Sequence, residues 1–502
     1  MQIERASGIL LHPTSLPGPH GCGDFGPAAR HFVDWLAAAG QSLWQVLPLG
    51  GVGPGNSPYM SSSAFAGNVL FIDLADLADQ GWLTQDDLLP DPSFSAARVD
   101  YGATRRYRLE RLARAAKRFF DQATPGQRHA FHSFCAEQHD WLDDYALFMA
   151  LDAAHPGCVW QDWERPLVQR EPAALATAVL HHDAEMAFWK FCQWNFARQW
   201  HALRSYANAR GVRLVGDLPI FIAGHSAEVW ANQHLFELDG GGRPSVVAGV
   251  PPDYFSATGQ RWGNPLYRWN AHAAGGYAWW IARMRHSMQL YDLVRVDHFR
   301  GFEAYWEIPA AETTAIHGRW VPGPASALFD ALHNALGGLP IIAEDLGIIT
   351  EQVLALRKRH GLPGMLILQF AFGGKADNPY LPHNHAADAV VYTGTHDNDT
   401  TLGWWAGAGA GEREHAQRYL GFEGEHELEW QFLRAAAASV AKYAIHPMQD
   451  VLGLDGSHRM NLPGKSEGHW EWRFSWDQVA PSHGARLQHL TELYGRLPGQ
   501  AG

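Results

Sequence analysis

The stretch Leu293-Val-Arg-Val-Asp297 decides the fold of this 502-residue chain, because it is a short aliphatic run that ends in a carboxylate. Short β-branched or aliphatic runs that end in polar residues recur along the chain, and we interpret each as a β-strand. Together they make eight runs: Gly8–His12, Ser42–Leu47, Arg213–Asp217, Leu293–Asp297, Pro340–Glu344, Met365–Phe370, Ala389–Thr393 and Tyr443–Met448.

Helical patterns separate these runs. One covers residues 28–39 and stops at Gly40, and another covers residues 188–209 and stops at Gly211, since glycine commonly terminates a helix. Strands that alternate with helices are parallel strands joined by crossovers. Eight such units predict an α/β protein with a (β/α)8 barrel, which we expect to form one domain over residues 1–502.

Two gaps between strands are too long for a single crossover, which needs roughly 30 residues. We expect residues 51–205 to form a mainly helical insertion after strand two. Residues 220–275, after strand three, carry many Gly and Pro and show no helical or strand period, so we expect a loop-rich insertion. Insertions in a barrel follow the strand ends, where active sites lie.

Polar side chains at the strand ends indicate chemistry. Asp217, Asp297 and Glu344 each end a strand, and Asp397 follows a fourth strand. Carboxylates at these ends converge on one pocket, and two of them about 5–5.5 Å apart can perform a retaining glycosyl transfer. Arg295 lies two residues before Asp297 and points to the same side, where it can keep Asp297 ionised. For any single Asp the alternative is a helix cap or an ion pair.

Composition excludes several classes of protein. The formal net charge of −13 argues against nucleic acid or an anionic membrane as partner. Four scattered cysteines without a C-x-x-C pair argue against a disulfide scaffold and favour a reducing, cytoplasmic location. The histidines at strand ends show no H-E-x-x-H spacing, so we predict no metal and no cofactor. The 22 Trp, 15 Tyr and 24 Phe suggest a ligand with apolar faces, such as a sugar, although most of these rings belong to the core.

Several motifs resemble those of the 4-α-glucanotransferases, or amylomaltases, in the short bacterial form that has no carboxyl-terminal β-sandwich. The resemblance runs from about residue 7 to about residue 474. The chain departs from the family pattern at Cys22, where an aliphatic residue is expected, and at His225, where an acidic one is usual. The matching stretches are Gly8–Pro17, Ser57–Asn68, Gly216–Ile220, Arg295–Gly301, Ala343–Gly347, Gly394–Thr400 and Arg459–Gly464.

This resemblance implies a catalytic barrel that moves segments of α-1,4-glucan between acceptors. It implies Asp297 as nucleophile, Glu344 as acid/base, and Asp397 as the residue that binds and distorts the reacting sugar ring. The other implied contacts fall into three groups. Around the reacting ring lie Arg295, His298, His396, Asp217, Tyr59 and Asn461; on the acceptor side or in a flexible lid lie Ser57, Asp345, Trp262 and Gln260; at the lid tip lie Tyr254 and Phe255.

Other functions stay open at this point. The same site could use water as acceptor, which would make the chain an α-1,4-glucan hydrolase, because transfer depends on excluding water. A non-catalytic glucan-binding protein is a second alternative, and a metal-dependent barrel enzyme that uses the histidines is a third. We expect maltooligosaccharides and starch or glycogen fragments as partners, and a monomer or a small homo-oligomer.

Overall fold

The computed structural model of the protein describes residues 5–252, 256–465 and 467–497. Within these ranges the strands are β1 Ala6–Leu10, β2 Leu43–Gln45, β3 Arg213–Leu218, β4 Val246–Val250, β5 Gln260–Pro265, β6 Leu293–Val296, β7 Ala304–Pro309, β8 Arg319–Pro322, β9 Ile341–Ala343, β10 Gly364–Ile367, β11 Ala389–Tyr392 and β12 Tyr443–Pro447.

The α-helices in the same ranges are α1 Pro27–Ala38, α2 Leu74–Asp79, α3 Tyr101–Gln122, α4 Pro125–Glu137, α5 His139–Ala154, α6 Arg165–Val168, α7 Pro172–His181, α8 Asp183–Asn208, α9 Ala227–Ala231, α10 Trp269–Ala274, α11 Ala278–Leu290, α12 Ser326–Leu336, α13 Glu351–Arg359, α14 Thr401–Gly407, α15 Ala410–Leu420, α16 Leu428–Ala438, α17 Met448–Val451 and α18 Pro481–Leu493. Short 3-10 turns join many of them. No helix of the described residues is long and apolar enough to cross a membrane.

Eight strands form one parallel sheet in the order β10-β11-β12-β1-β2-β3-β6-β9 within the described residues. The Ala343 N–H donates to the carbonyl of Pro363 at 2.8 Å, which joins the end of β9 to the residue before β10 and nearly closes the sheet. Each of the eight runs expected from sequence overlaps one of these strands. The predicted (β/α)8 barrel, with long insertions after its second and third strands, is therefore confirmed.

The barrel strands are buried along almost their whole length, as parallel strands covered on both sides are. Their apolar side chains fill the barrel and the layer under the surrounding helices; Ile9, Trp44 and Val215 have no exposed surface. The chemistry-bearing residues follow the carboxyl ends of β3, β6, β9 and β11, so they share one end of the barrel.

Between β2 and β3 the chain forms α2 to α8. The long helix α8 packs beside the barrel and fixes the loop that follows β2. The Gln193 side chain makes hydrogen bonds to both backbone groups of Gly67, at 2.8 and 2.9 Å, and the Gln199 side chain does the same with Asp73, at 2.7 and 3.1 Å. These bonds replace a regular ladder and hold the loop on the barrel end.

The insertion after β3 differs from its sequence-based expectation, because it contains two strands. β4 and β5 pair antiparallel, and β7 and β8 complete a second sheet in the order β5-β4-β7-β8. A register shift lies between Val247 and Gly249, which breaks the alternation that would mark β4 in the sequence. The other partner, β7, comes from beyond β6, so the pairing depends on residues distant in the chain.

Candidate active site

One arginine holds two carboxylates at the ends of adjacent strands. Asp217 on β3 pairs in register with Arg295 on β6, and the Arg295 Nη1–Asp217 Oδ2 distance is 2.6 Å. Its other terminal nitrogen, Nη2, lies 3.0 Å from Asp297 Oδ1. The Asp217 side chain has no exposed surface, whereas that of Asp297 is 27% exposed. One guanidinium therefore pairs with an enclosed carboxylate and with a second one at the edge of the cleft.

Glu344 follows β9 and lies against the residue after Asp297. Its Oε2 accepts from the backbone N–H of His298 at 2.6 Å, and its Oε1 accepts from the N–H of Leu346 at 3.0 Å. His298 has a φ of 48°, a left-handed conformation that is rare outside glycine and common at functional sites. Burial raises the pKa of Glu344 to about 7, with Asp297 adding to the rise while Arg295 and the two N–H groups oppose it.

Tyr59 connects this cluster to the loop after β11. Its hydroxyl donates to Asp217 Oδ2 at 2.9 Å and lies 2.9 Å from Nε2 of His396. Burial is the main cause that lowers the pKa of His396, so the imidazole is neutral and its Nε2–H can donate to the Tyr59 oxygen. The two rings are stacked with centroids 5.4 Å apart, and Trp470 packs against both at 5.8 Å.

Asp397 stands beside His396 and faces the same cleft. Its Oδ1 accepts from the Asn461 amide at 2.7 Å and lies 3.4 Å from Nε2 of His396. Its side chain is 44% exposed. Asp297 and Asp397 are thus linked through Arg295, Asp217, Tyr59 and His396, and Glu344 joins them through the backbone N–H of His298.

Trp262 forms a wall on the other side of His298. Its ring lies edge-on to the His298 imidazole, with centroids 4.9 Å apart, and its indole N–H donates to Gln260 Oε1 at 3.1 Å. His298 Nε2 is buried and has no hydrogen-bond partner among the described residues. A buried donor or acceptor of this kind is available to a ligand hydroxyl. Tyr254 and Phe255, predicted at the lid tip, lie outside the described residues.

Three predicted contact residues stand behind the cleft in supporting positions. The Asp345 carboxylate points away from Glu344, with Oδ2 3.0 Å from Arg357 Nε and Oδ1 accepting from the N–H of Met365 at 2.8 Å. Ser57 caps the turn that carries Tyr59, accepting from the Tyr59 N–H at 3.3 Å. Asp217 Oδ2 supports Arg295 and Tyr59, whereas its Oδ1 is buried and has no hydrogen-bond partner among the described residues, so that oxygen is available to a ligand.

Two residues that contact the site, Trp470 and Arg459, are not predicted as site residues from the sequence. Trp470 packs on Tyr59 and His396, and no signal other than its aromatic type marks it. Arg459 binds the backbone of Asp397 and stands two residues before Asn461, inside a motif that was recognised for Asn461. His225, the residue that departs from the family pattern, lies 2.8 Å from Asp152 and accepts from the N–H of Trp160 at 3.1 Å.

Among the described residues no group of three or more His, Cys, Asp or Glu side chains is placed to hold a metal ion. The cleft instead combines a carboxylate paired with arginine, a buried carboxyl group of raised pKa, and hydrogen-bonding side chains around aromatic rings. A (β/α)8 barrel with such a cluster at its strand ends defines the class of barrel enzymes that act on carbohydrates.

Comparison with known proteins gives the family. The family model described as 4-alpha-glucanotransferase, glycoside hydrolase family 77, matches residues 11–478. The 4-alpha-glucanotransferase of Thermus thermophilus is 51% identical over 504 residues, covering 99% of this chain and all of the relative. That of Synechocystis sp. is 48% identical over 499 residues, covering 99% of both chains. The chain therefore belongs to the 4-alpha-glucanotransferase family, which confirms the resemblance and the enzyme class.

The solved structures agree with this assignment. The amylomaltase from Streptococcus agalactiae, solved in complex with acarbose, superposes with a TM-score of 0.94 at 37% identity, covering 98% of this chain and 100% of that one. The amylomaltase from Corynebacterium glutamicum superposes with a TM-score of 0.78 at 19% identity, covering 99% of this chain and 75% of that one, and shows the shared fold.

Proposed function

We propose that this enzyme transfers a segment of an α-1,4-glucan to the 4-hydroxyl of another glucan or of glucose by a retaining double displacement. In the first step an Asp297 oxygen attacks the anomeric carbon, and Glu344 gives its proton to the departing glycosidic oxygen. In the second step the acceptor hydroxyl attacks the same carbon, Glu344 takes the hydroxyl proton, and Asp297 departs as a carboxylate. Each step makes one bond to the anomeric carbon and breaks one.

One observation carries this division of roles: two neighbouring carboxyl groups lie in opposite environments. Asp297 pairs with Arg295 at 3.0 Å and is partly exposed to the cleft, where an attacking carboxylate must reach the sugar. Glu344 is buried, and its pKa of about 7 lets it hold a proton near neutrality and release one in the second step. Acid and nucleophile are commonly assigned in this way, by environments that separate two similar groups.

The remaining groups would bind and distort the reacting ring. Asp397 is exposed to the cleft and oriented by Asn461, so its free carboxylate oxygen can accept from sugar hydroxyls. The Tyr59 ring and its stacked neighbour His396 offer an aromatic face to the apolar side of the sugar. Trp262 and Gln260 would contact the acceptor chain, and the contacts predicted for Tyr254 and Phe255 stay predictions.

The test is incubation of the purified enzyme with maltotriose alone. Transfer predicts glucose together with a ladder of maltooligosaccharides longer than the substrate. Products no longer than maltotriose would identify a hydrolase on the same site and would contradict the proposal. The preference for transfer is supported by the family, whose members are named for that activity. The cytoplasmic location and the oligomeric state stay predictions.

A further inference from the structure

The loop between β11 and α14 carries His396 and Asp397 without any regular secondary structure over residues 393–400. A ladder of backbone hydrogen bonds therefore does not fix the position of Asp397. Inside the loop, the Asn398 side chain accepts from both the N–H and the hydroxyl of Thr395, each at 2.9 Å. Those bonds shape the turn but do not fasten it to the rest of the molecule, so its position depends on contacts from outside.

Gln369 makes one such contact, donating its amide to the carbonyl of Asp399 at 2.8 Å, and Arg459 makes further ones with all three nitrogens of its guanidinium. Nη2 donates to the backbone carbonyl of Asp397 at 2.9 Å, and Nη1 lies 3.4 Å from Oδ2 of Asp399. Nε donates to the carbonyl of Asn461 at 2.7 Å. One side chain thus binds the catalytic loop at two points and the segment of Asn461 at a third. The planar fork of arginine suits this use, because its donors diverge in fixed directions.

The third contact links Arg459 to the Asp397 carboxylate itself. Asn461 donates its amide to Asp397 Oδ1 at 2.7 Å, and its backbone N–H donates to the carbonyl of His396 at 3.1 Å. The backbone of Asp397 and the amide that orients its carboxylate are therefore held by the same guanidinium. A shift of Arg459 would change both the position and the direction of the carboxylate relative to a bound sugar.

We propose that Arg459 is a positioning residue for Asp397, fastening the β11–α14 loop to the Asn461 segment so that the Asp397 carboxylate meets the distorted sugar ring. The inference rests on the proposed function, in which Asp397 acts on that ring. Arg459 itself touches no reacting atom in this assignment. Its effect should therefore be larger on turnover and on binding of a transition-state mimic than on binding of the undistorted substrate.

The first experiment replaces Arg459 by Met, which keeps an unbranched side chain and removes the three donors. We expect kcat on maltotriose to fall by about ten- to a hundredfold, because small misplacements of a catalytic group have effects of that size. KM should change less than threefold. Binding of acarbose, measured by calorimetry, should weaken roughly in proportion to kcat. Arg459→Lys keeps the charge but not the fork, so its kcat should lie between those of the Met variant and the native enzyme.

Arg204 on α8 provides a matched control. Its side chain is 23% exposed against 20% for Arg459, and it also joins one carboxylate and two carbonyls, those of Asp292, Gln289 and Tyr291. Asp292 precedes β6, so this cluster lies at the end of the barrel opposite to the cleft. Arg204→Met should lower the melting temperature and leave kcat within twofold of native. A loss of kcat as large as that of Arg459→Met would show a general effect of losing an arginine network and overturn the proposal.

A double-variant cycle separates this inference from the proposed function. If Arg459 acts through Asp397, adding Arg459→Met to Asp397→Asn should weaken acarbose binding less than twofold further, whereas independent effects would multiply. If the two losses of acarbose affinity multiplied in the double variant, the positioning role of Arg459 would be wrong. The same conclusion would follow if Arg459→Met kept the native kcat while Asp397→Asn was inactive. Either result would leave the proposed function intact. Full activity in Asp397→Asn would instead remove Asp397 from the mechanism and contradict the proposed function.

Discussion

The two halves of the cleft are built by different means. The half made of Asp217, Arg295, Asp297 and Glu344 comes directly from the ends of three adjacent parallel strands. The half made of His396, Asp397 and Asn461 comes from irregular chain, joined by side-chain hydrogen bonds. In the strand half, register determines which side chains meet. In the loop half, position depends on residues such as Arg459 that lie far away in the sequence.

The side chains of the two halves are positioned by different interactions. Strand ends are held by the barrel ladder, so their side chains need only one ion pair to be oriented. The loop half is held by a network of side-chain hydrogen bonds, so removing one side chain should displace the others. Variants in the strand half should therefore fail through lost charge or chemistry, whereas variants in the loop half should fail through lost alignment.

The largest effect is expected for Asp297→Asn in the strand half. The amide keeps the shape of the side chain but cannot form the covalent intermediate, so kcat on maltotriose should fall by about a thousandfold or more. Maltotriose binding by calorimetry should stay within a few-fold of native, because the contacts of Tyr59, Asp397 and Trp262 remain. If the variant kept more than about a tenth of the activity, the activation free energy would have risen by less than about 1.4 kcal/mol. That result would show that Asp297 is not the nucleophile.

The next largest effect is expected for Arg295→Met, which tests the strand half through its ion pairs. Both carboxylates lose their cation, and Asp217 has no exposed surface. Activity should fall by about a hundredfold, and the free energy of unfolding by about 3–5 kcal/mol, the usual result of leaving a buried charge unpaired. The melting temperature and the maltotriose assay measure the two effects.

A second variant separates the two effects of losing Arg295. In Arg295→Met with Asp217→Asn, the unpaired buried charge is gone, so most of the lost stability should return. Activity should stay low, because Asp297 still lacks its cation. If the double variant recovered full activity, the Arg295–Asp297 pair would have no role in the chemistry.

Much of the strand half was predictable from sequence. The aliphatic runs indicated the strands, and the two-residue spacing of Arg295 and Asp297 put both side chains on one side, where they do form an ion pair. In the loop half, the sequence predicts Asp397 as a carboxylate that follows a strand, whereas the roles of His396 and Asn461 come from the family resemblance, because residues 393–400 show no periodicity. Arg459 begins a stretch that resembles the family, but its contacts with Asp397 and Asp399 are set by tertiary folding and leave no local pattern.

The second sheet shows the same limit. β4 pairs with β5 across a bulge, and it pairs with β7, which follows β6 in the chain. The local sequence of β4 and β5 therefore shows no alternating pattern that would predict these strands. The different partners of Glu344 and Asp345 agree with strand alternation, because consecutive residues at a strand end point to opposite sides. The resemblance implies substrate contacts for both acids, whereas alternation along the strand predicts that their side chains point in opposite directions.

The effect of pH grows from about tenfold at pH 8, and it acts on the strand half alone. Burial holds the pKa of Glu344 at about 7, and the first step needs the protonated form. The rate of glycosyl-enzyme formation should therefore fall above about pH 7, by roughly tenfold per unit and about a hundredfold at pH 9. Single-turnover kinetics with maltotriose measure this step. A rate that stays constant from pH 6 to pH 9 would contradict the assignment of Glu344 as the acid.

The smallest effect is expected at Trp262, which lies on the second sheet beside His298. Its ring contacts His298 but none of the carboxylates by any described hydrogen bond or ring contact. Trp262→Ala should therefore raise KM for the acceptor by about five- to tenfold, the size of one lost aromatic contact, and change kcat less than threefold. Acceptor KM is measured with labelled glucose at a fixed, low concentration of maltotriose, because maltotriose itself competes as an acceptor.

Trp306 is the control for this prediction because it belongs to the same sheet but packs in a different apolar cluster. Trp306 packs with Val247, Ile308 and Ala315, whereas Trp262 packs against the main core beside His298. The Trp306 indole N–H donates to the carbonyl of Ala315 at 2.9 Å. Trp306→Ala should lower the melting temperature and leave acceptor KM unchanged. An equal rise of KM in both variants would mean that the sheet acts only by its stability, and that Trp262 does not contact the acceptor.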